Sequence, residues 1–249
     1  MNVFTFAEAR AHFEIAEGFE DDNEIHTDGA LSDLPRMKFR RHGPLALMVK
    51  GCRFHVPSTT TGNLSFFVGQ HNAVVKIGPN TRLNTDIRLW RSAKVVIGAH
   101  TTINQARLVS DNSDIHIGND CMFSDDILIQ SADQHGLIDL DTMAFSNAHR
   151  RKIVIGDHVW VGRRSVVMPD VEVGHGSVIG TGSIVTKSAG PCCYLVGVPA
   201  RAVRERASWT RLPGKANPRE EAFFAQMKAP GGPLAPDLAP DLAKDGEAL

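Results

Sequence analysis

Aromatic side chains are scarce in this sequence. They make up 6% of its 249 residues, with a single tyrosine, which suits a core of stacked isoleucine and valine rather than of large rings. No apolar stretch reaches 18 residues, and no basic segment followed by an apolar run opens the chain. Neither a membrane-spanning helix nor a secretory leader is therefore expected. Charge of one sign is lacking too. With 27 basic and 28 acidic residues the net charge is −1, so no global field draws the chain to nucleic acid or to a membrane surface. The four cysteines, Cys52, Cys121, Cys192 and Cys193, form no CxxC pair, and two are adjacent. That pattern fits reduced thiols in the cytoplasm better than a disulfide framework.

What is abundant is regularity. Ile155, Val161, Val167, Val173, Ile179 and Val185 are aliphatic at an unbroken spacing of six. Gly156, Gly162, Gly174 and Gly180 follow four of them, and Val159, Ser165, Val171, Ser177 and Ser183 stand four residues after the first five. A helix of 3.6 residues per turn scatters such a set around its axis, and a plain strand alternates every two. A sixfold mark therefore predicts two-residue strands joined by corners, with glycine allowing φ values that other residues resist and the small fourth residue leaving room inside the bend. Three units close a triangular coil, and stacked coils bury one aliphatic column. This is the hexapeptide repeat, and it resembles that of the hexapeptide acyltransferases. The resemblance implies an all-β solenoid, a left-handed parallel β-helix.

Around this stretch the chain divides as follows. Residues 1–62 carry no sixfold mark and are expected to cap the first coil, with a helix near 6–18 from the spacing of Phe6, Ala9, Phe13 and Ala16. The basic cluster Arg36, Lys38, Arg40 and Arg41 reads as a solvated face. Coils are expected over 63–200. Ile77-Gly78, Ile97-Gly98 and Ile117-Gly118 recur every twenty residues, three hexapeptides plus two, so these coils carry a small bulge or loose corner. The next Ile-Gly pair, Ile155-Gly156, comes 38 residues later. Two coils of 18 would nearly fill that interval, leaving one modest loop at about 136–151, and an inserted loop on a rigid scaffold is where function concentrates. Beyond the coils a helical arm over 201–228 is expected, with short helices near 201–211 and 220–228, and then a disordered tail over 229–249.

Ser131-Ala132-Asp133-Gln134-His135 leads into the loop. In extended geometry Asp133 and His135 share a face, and a carboxylate beside an imidazole fixes its tautomer and raises its basicity, as general-base work requires. A surface histidine on a polar loop is the plain alternative. The segment Ser-x-Asp-x-His, a loop, and then Ile-x-Ile-Gly-x-x-Val-Trp-Val-Gly resembles the hexapeptide O-acetyltransferases acting on sugars and polysaccharides, the galactoside, maltose, capsule and sialic-acid enzymes among them. The likeness covers roughly 75–206. It implies acetyl-CoA as co-substrate without a metal, direct transfer in a ternary complex, His135 as general base, and Trp160 beside the thioester as an oxyanion donor; a ring packed on a neighbouring subunit is the plain alternative for Trp160. It also implies Lys187, Arg201 and Arg204 at the nucleotide end of CoA, with Arg163, Thr181 and Ser183 along the pantetheine arm. Asn104 and Asp111, or its neighbour Asn112, correspond to acceptor contacts. The family's homotrimer, with sites between subunits and a sugar or glycan as partner, is implied as well. Gly136, where the galactoside group often has proline, and the differing N-terminal segment leave the acceptor open.

Rival readings share the scaffold. An N-acetyltransferase of an amino or nucleotide sugar differs in taking an amine, and a serine acetyltransferase wants a larger helical N-terminal domain. A γ-carbonic-anhydrase-like zinc protein needs converging histidines, whereas His100, His116 and His135 fall on successive coils with no H-x4-H pair. A structural trimer that binds glycan without turnover is separated from the enzyme by turnover alone.

Overall fold

Five two-residue strands, Trp160–Val161, Val166–Val167, Glu172–Val173, Val178–Ile179 and Ile184–Val185, fill the stretch marked by the sixfold spacing. This is a computed structural model, and it describes residues 1–43, 47–133 and 135–229. The tail expected over 229–249 lies, from residue 230, outside the described residues. Strands stack in parallel, coil upon coil. Val154 pairs with Glu172, Trp160 with Val178 and Val166 with Ile184, so three separate columns of strands run through these coils. We call them the first, second and third faces in that order. In the earlier coils the second and third faces are joined in one long strand: Thr61–Val68, Arg82–Trp90 and Thr102–Asp111. The last of these carries a register shift between Ile103 and Ala106, which is the irregularity a twenty-residue coil requires.

The interior is one column of aliphatic residues. Val75, Val95, Ile115, Ile153, Val173 and their counterparts are buried, each contributing about 1.5–3 kcal/mol of transfer free energy. Its N-terminal end is aromatic. Phe39, Phe54 and Phe66 stack with centroids 4.8–5.0 Å apart, and Phe6 covers them at 4.7 Å from Phe39.

Several expectations are corrected. The helix near 6–18 is a single turn, Phe6–Ala9, because the chain extends again at Glu14–Ile15 to pair with Lys38 and Phe39. Parallel stacking does not wait for Asn63: Glu24–Thr27, Arg53–His55 and Val74–Ile77 already pair in series on the first face. Asn2–Thr5 runs antiparallel along Glu24–Thr27 and ends that sheet. The 38-residue interval is not two coils. Ile115 pairs directly with Ile153, so it holds one coil and a long excursion that begins after Gln130 and returns at Arg151. Residues 201–211 are not helical either. Ala200–Arg204 folds back antiparallel on Tyr194–Gly197, and a helix follows at Pro218–Lys228, capped by Asn217.

The glycines after each aliphatic do not have the backbone expected of them. Left-handed φ falls instead two residues later, at Asn80, His100, Asp120 and His158, residue types that tolerate it. Each of the last three donates its N–H across to the coil before, to Pro79 O, Ala99 O and Asn119 O, at 2.8–3.0 Å. The glycines are needed for closeness: a Cβ on Gly98 would lie 2.5 Å from the carbonyl carbon of Gly118. Among the described residues no helix is long and apolar enough to cross a membrane.

Candidate functional site

The excursion leaves the third face through Ser131, whose buried hydroxyl donates to Val109 O at 2.8 Å and bonds the Ser113 hydroxyl. Its root is then tied across. Arg151 Nη1 lies 2.6 Å from Asp133 Oδ2 and Arg151 Nε 2.8 Å from Asp170 Oδ2. Burial, the largest single influence, would raise the Asp170 carboxyl, but the hydrogen bonds from Arg151, the Lys152 N–H and His149 together with the Arg151 charge outweigh it and hold the group below its ordinary range. Asn147 Nδ2 donates both to Asp133 Oδ2, at 3.1 Å, and to His135 O, at 2.8 Å. Arg150, just ahead of the return strand, grips Asp114 and Ser92 O. Further out, Ile138 bridges to Phe145, and the tip presents Leu137, Ile138, Leu140, Met143 and Phe145 to solvent.

His135 is exposed at this root. It lines a hollow of about 160 Å³ together with Arg91, Asp111, Phe145, Asn147 and Arg151. Asp111 is buried and holds Arg91 through two hydrogen bonds of 2.6 and 2.9 Å. The expected Asp133–His135 couple is replaced. Among the described residues Asp133 is hydrogen-bonded by Arg151 and Asn147 and not by the imidazole, because a permanently charged guanidinium fork that also spans Asp170 is the stronger partner. What positions His135 is thus its carbonyl, held by Asn147. Neither Asn147 nor Arg151 was picked out from the sequence, although the Arg150-Arg151 pair ahead of the Ile-x-Ile strand was a visible sign of a clamped return. The hollow can do hydroxyl chemistry: an imidazole open to solvent to take a proton, and a carboxylate and guanidinium to hold neighbouring hydroxyl groups.

Trp160 sits elsewhere, on the second face between Met122 and Val178. Its ring packs inside its own chain, 6.2 Å from Trp209, and its Nε1 is buried without a hydrogen-bond partner. Among the described residues that line the His135 hollow, Trp160 does not appear. Trp209 belongs to the C-terminal segment, which is pinned along the corner after the first face. It stacks on buried His158 at 4.4 Å, its carbonyl lies 3.0 Å from His158 Nε2, and Asp120 Oδ2 lies 2.9 Å from His158 Nδ1. Arg211 adds bonds to the Asp120 carboxylate.

The remaining candidates scatter over the late coils. Lys187, Thr181 and Arg204 are exposed, Arg201 donates to Ala200 O, and Arg163 is paired with Asp125 at 2.8 Å. Ser183 is buried, and its Oγ accepts from Gly197 N at 3.1 Å, holding the terminal hairpin. Asp111 joins the hollow, whereas Asn104 lies with Asn63 and Asn84 in a separate groove and accepts from Arg82 at 3.2 Å. His100 bonds Arg219, His116 lies on the first face, and among the described residues no three His, Cys, Asp or Glu side chains group to hold a metal ion.

Known proteins share this scaffold. Residues 152–187 match the family model described as bacterial transferase hexapeptide (six repeats). These residues are a bacterial transferase hexapeptide repeat. The chain is 38% identical to the polysialic acid O-acetyltransferase of Escherichia coli O1:K1 / APEC over 138 residues, 55% of this chain and 45% of that protein. It is 29% identical to the galactoside O-acetyltransferase of Escherichia coli K12 over 129 residues, 52% of this chain and 63% of that one. The chain thus spans about half the length of these curated relatives. Among solved structures, the polySia-specific acetyltransferase NeuO superposes with a TM-score of 0.76 at 26% identity, covering 87% of this chain and 99% of that one.

Proposed function

We propose that this chain is an acyltransferase that moves the acetyl group of acetyl-CoA to a hydroxyl of a sugar or polysaccharide. The observation that carries the reading is His135, exposed in a hollow with Asp111 and Arg91 at the clamped root of the loop that interrupts a hexapeptide repeat. The imidazole takes the proton of an acceptor hydroxyl, the hydroxyl oxygen attacks the thioester carbonyl, and the C–S bond breaks to release CoA thiolate, which recovers the proton from the imidazolium. The indole N–H of Trp160, a buried donor with no acceptor of its own, is assigned to the carbonyl oxygen as charge develops there. CoA itself supplies the activated acyl group. Lys187, Arg201 and Arg204 are assigned to its phosphates and Arg163 and Thr181 to its arm, while Asp111 takes the sugar in the hollow and Asn104 a unit further along a glycan.

This reading takes the coils as left-handed and the enzyme as a homotrimer with sites between subunits. It is supported by the lining of the His135 hollow, which among the described residues does not include Trp160, and by the exposed apolar loop tip, which a second copy would cover. The test is CoA-thiol release from acetyl-CoA over a panel of sugars, amino sugars, nucleotide sugars, acidic glycans and serine. His135→Ala should lower turnover on a hydroxyl acceptor by about 10²–10⁴-fold with CoA affinity unchanged. Retained turnover would refute the assignment of the base. Release with amine acceptors alone would make the chain an N-acetyltransferase, and failure to bind CoA would end the reading altogether.

A further inference from the structure

Next to the His135 hollow, one coil nearer the N-terminus, the strand Arg82–Trp90 presents an unusual pair of outward side chains. Trp90 is the direct neighbour of Asp111 in the parallel register, so its backbone lies about 4.8 Å from that of a hollow-lining residue. Its indole lies over Gly69, where an added Cβ would come within 2.3 Å of the ring, and it meets His42 edge-on at 5.0 Å. The ring is half-buried, held flat by its neighbours with part of it left to solvent.

Arg88 stands two residues earlier on the same side of the strand, about 7 Å away. Most arginines around the hollow are spoken for: Arg91 by Asp111, Arg150 by Asp114, Arg151 by Asp133 and Asp170. Arg88 is different. Among the described residues it has no ion pair or hydrogen bond, its Nε is buried without a partner, and its guanidinium is propped over the Phe67 ring at 5.1 Å. Asp86, the carboxylate two residues further back, forms no ion pair with it. A half-buried guanidinium held in place by an aromatic ring and lacking an anion is a site prepared for one.

We infer that Arg88 and Trp90 form a subsite for a carboxylated sugar unit of the acceptor glycan, one position away from the unit acetylated at His135. The inference rests on the glycan O-acetyltransferase reading for its biological sense, but the subsite stands on this strand alone. The pyranose ring lays its C–H bonds, which are weakly positive, against the negative face of Trp90. Its carboxylate reaches the fork of Arg88, two bonds at the spacing that the strand provides. A neutral glycan would gain the first contact and leave the guanidinium unsatisfied.

Two measurements test this on the full-length protein, with polysialic acid and polygalacturonate oligomers as probes, each beside its own carboxyl-reduced form. The first is the dissociation constant by calorimetry, and the second is KM for acetyl transfer. At least one carboxylated probe should bind about tenfold or more tightly than its reduced form. Arg88→Gln should abolish that preference and leave the reduced form unchanged, with Arg88→Lys in between. Trp90→Ala should weaken both forms alike and Trp90→Phe should largely restore them. Unchanged acetyl-CoA affinity and an unchanged urea midpoint establish that each variant is folded. Absence of binding by both carboxylated probes, equal binding of charged and reduced forms, or a preference that survives Arg88→Gln would each overturn the subsite. Acetyl transfer without any carboxylate preference would overturn the subsite alone. A carboxylate preference in binding without transfer to any acceptor would overturn the enzymatic reading and keep the subsite.

Discussion

Replacing Asp120 with Asn keeps the shape of the side chain and removes the charge on which the C-terminal segment is hung. The carboxylate receives His158 Nδ1 at 2.9 Å and Arg211 Nε and Nη2 at 3.2 and 3.0 Å. His158 Nε2 faces the Trp209 carbonyl at 3.0 Å, so both of its ring nitrogens point at acceptors. Removing one partner from a buried ion pair costs about 3–5 kcal/mol. Here Arg211 keeps bonds to His100 O, Cys121 O and Thr102 Oγ1, and the Asp120 and Arg211 side chains remain 14% and 20% exposed. Those bonds and that exposure bring the expected loss to about 2–3 kcal/mol. Local opening of the segment would rise by about 30–150-fold, read as the rate of tryptic cleavage at Arg206, Lys215 and Arg219 under conditions where the coils stay folded. Acid should act in the same place. Burial alone would raise the Asp120 carboxyl, but hydrogen bonds from His158 and the charge of Arg211 outweigh it and hold the group below the ordinary carboxylate range. Its contribution is therefore complete above that ordinary range and is lost as pH falls through the lowered value. The difference between wild type and Asp120→Asn should shrink along that acid limb. Equal cleavage rates at neutral pH, or a difference that grows with acid, would refute the argument.

Gly98→Ala should lower the urea midpoint by an amount equivalent to about 1–3 kcal/mol, since its Cβ meets the backbone of Gly118 and Asn119 at 2.5–2.6 Å, whereas Gly190→Ala, with nothing within 4 Å, should be near neutral. Arg151→Gln releases Asp133 and Asp170 together; amide exchange over 135–150 should speed up and acceptor KM should rise about tenfold while acetyl-CoA affinity holds, and unchanged exchange would show that the loop root is fixed by other contacts.

The late coils were legible because their period is set by backbone geometry: a corner every six residues leaves its mark whatever the side chains do. The first coils were not. Phe39, Phe54 and Phe66 fill the column where isoleucine and valine do later, and Ile25 and Phe54 pair across 29 residues, so no short period survives. Arithmetic misled at the long interval. A gap of 38 fits two coils and a small loop as well as one coil and a large loop, and only the pairing of Ile115 with Ile153 decides between them. Glycine in these corners signals close approach rather than φ: the left-handed residues are His100 and Asp120, and closeness is required at Gly98. At the site, His135 was visible in its motif, but the partner of Asp133 was not, because Arg151 reaches it from across the loop.

The perimeter of a coil then constrains the chemistry. His135 follows the end of the third face, where the chain turns back toward the first, and Trp160 faces outward from the second. Side chains on different faces of one stack diverge, and Trp160 is not among the described residues that line the His135 hollow; the proposed reaction, which uses both, therefore draws one of them from another copy. The assignment of both residues to acetyl transfer is therefore tied to association. Mixing His135→Ala with Trp160→Phe chains should restore part of the activity that each lacks alone, since some interfaces then pair an intact His135 with an intact Trp160. If the two residues serve the same chain's site, no interface in the mixture is whole, and activity stays at the average of the two variants.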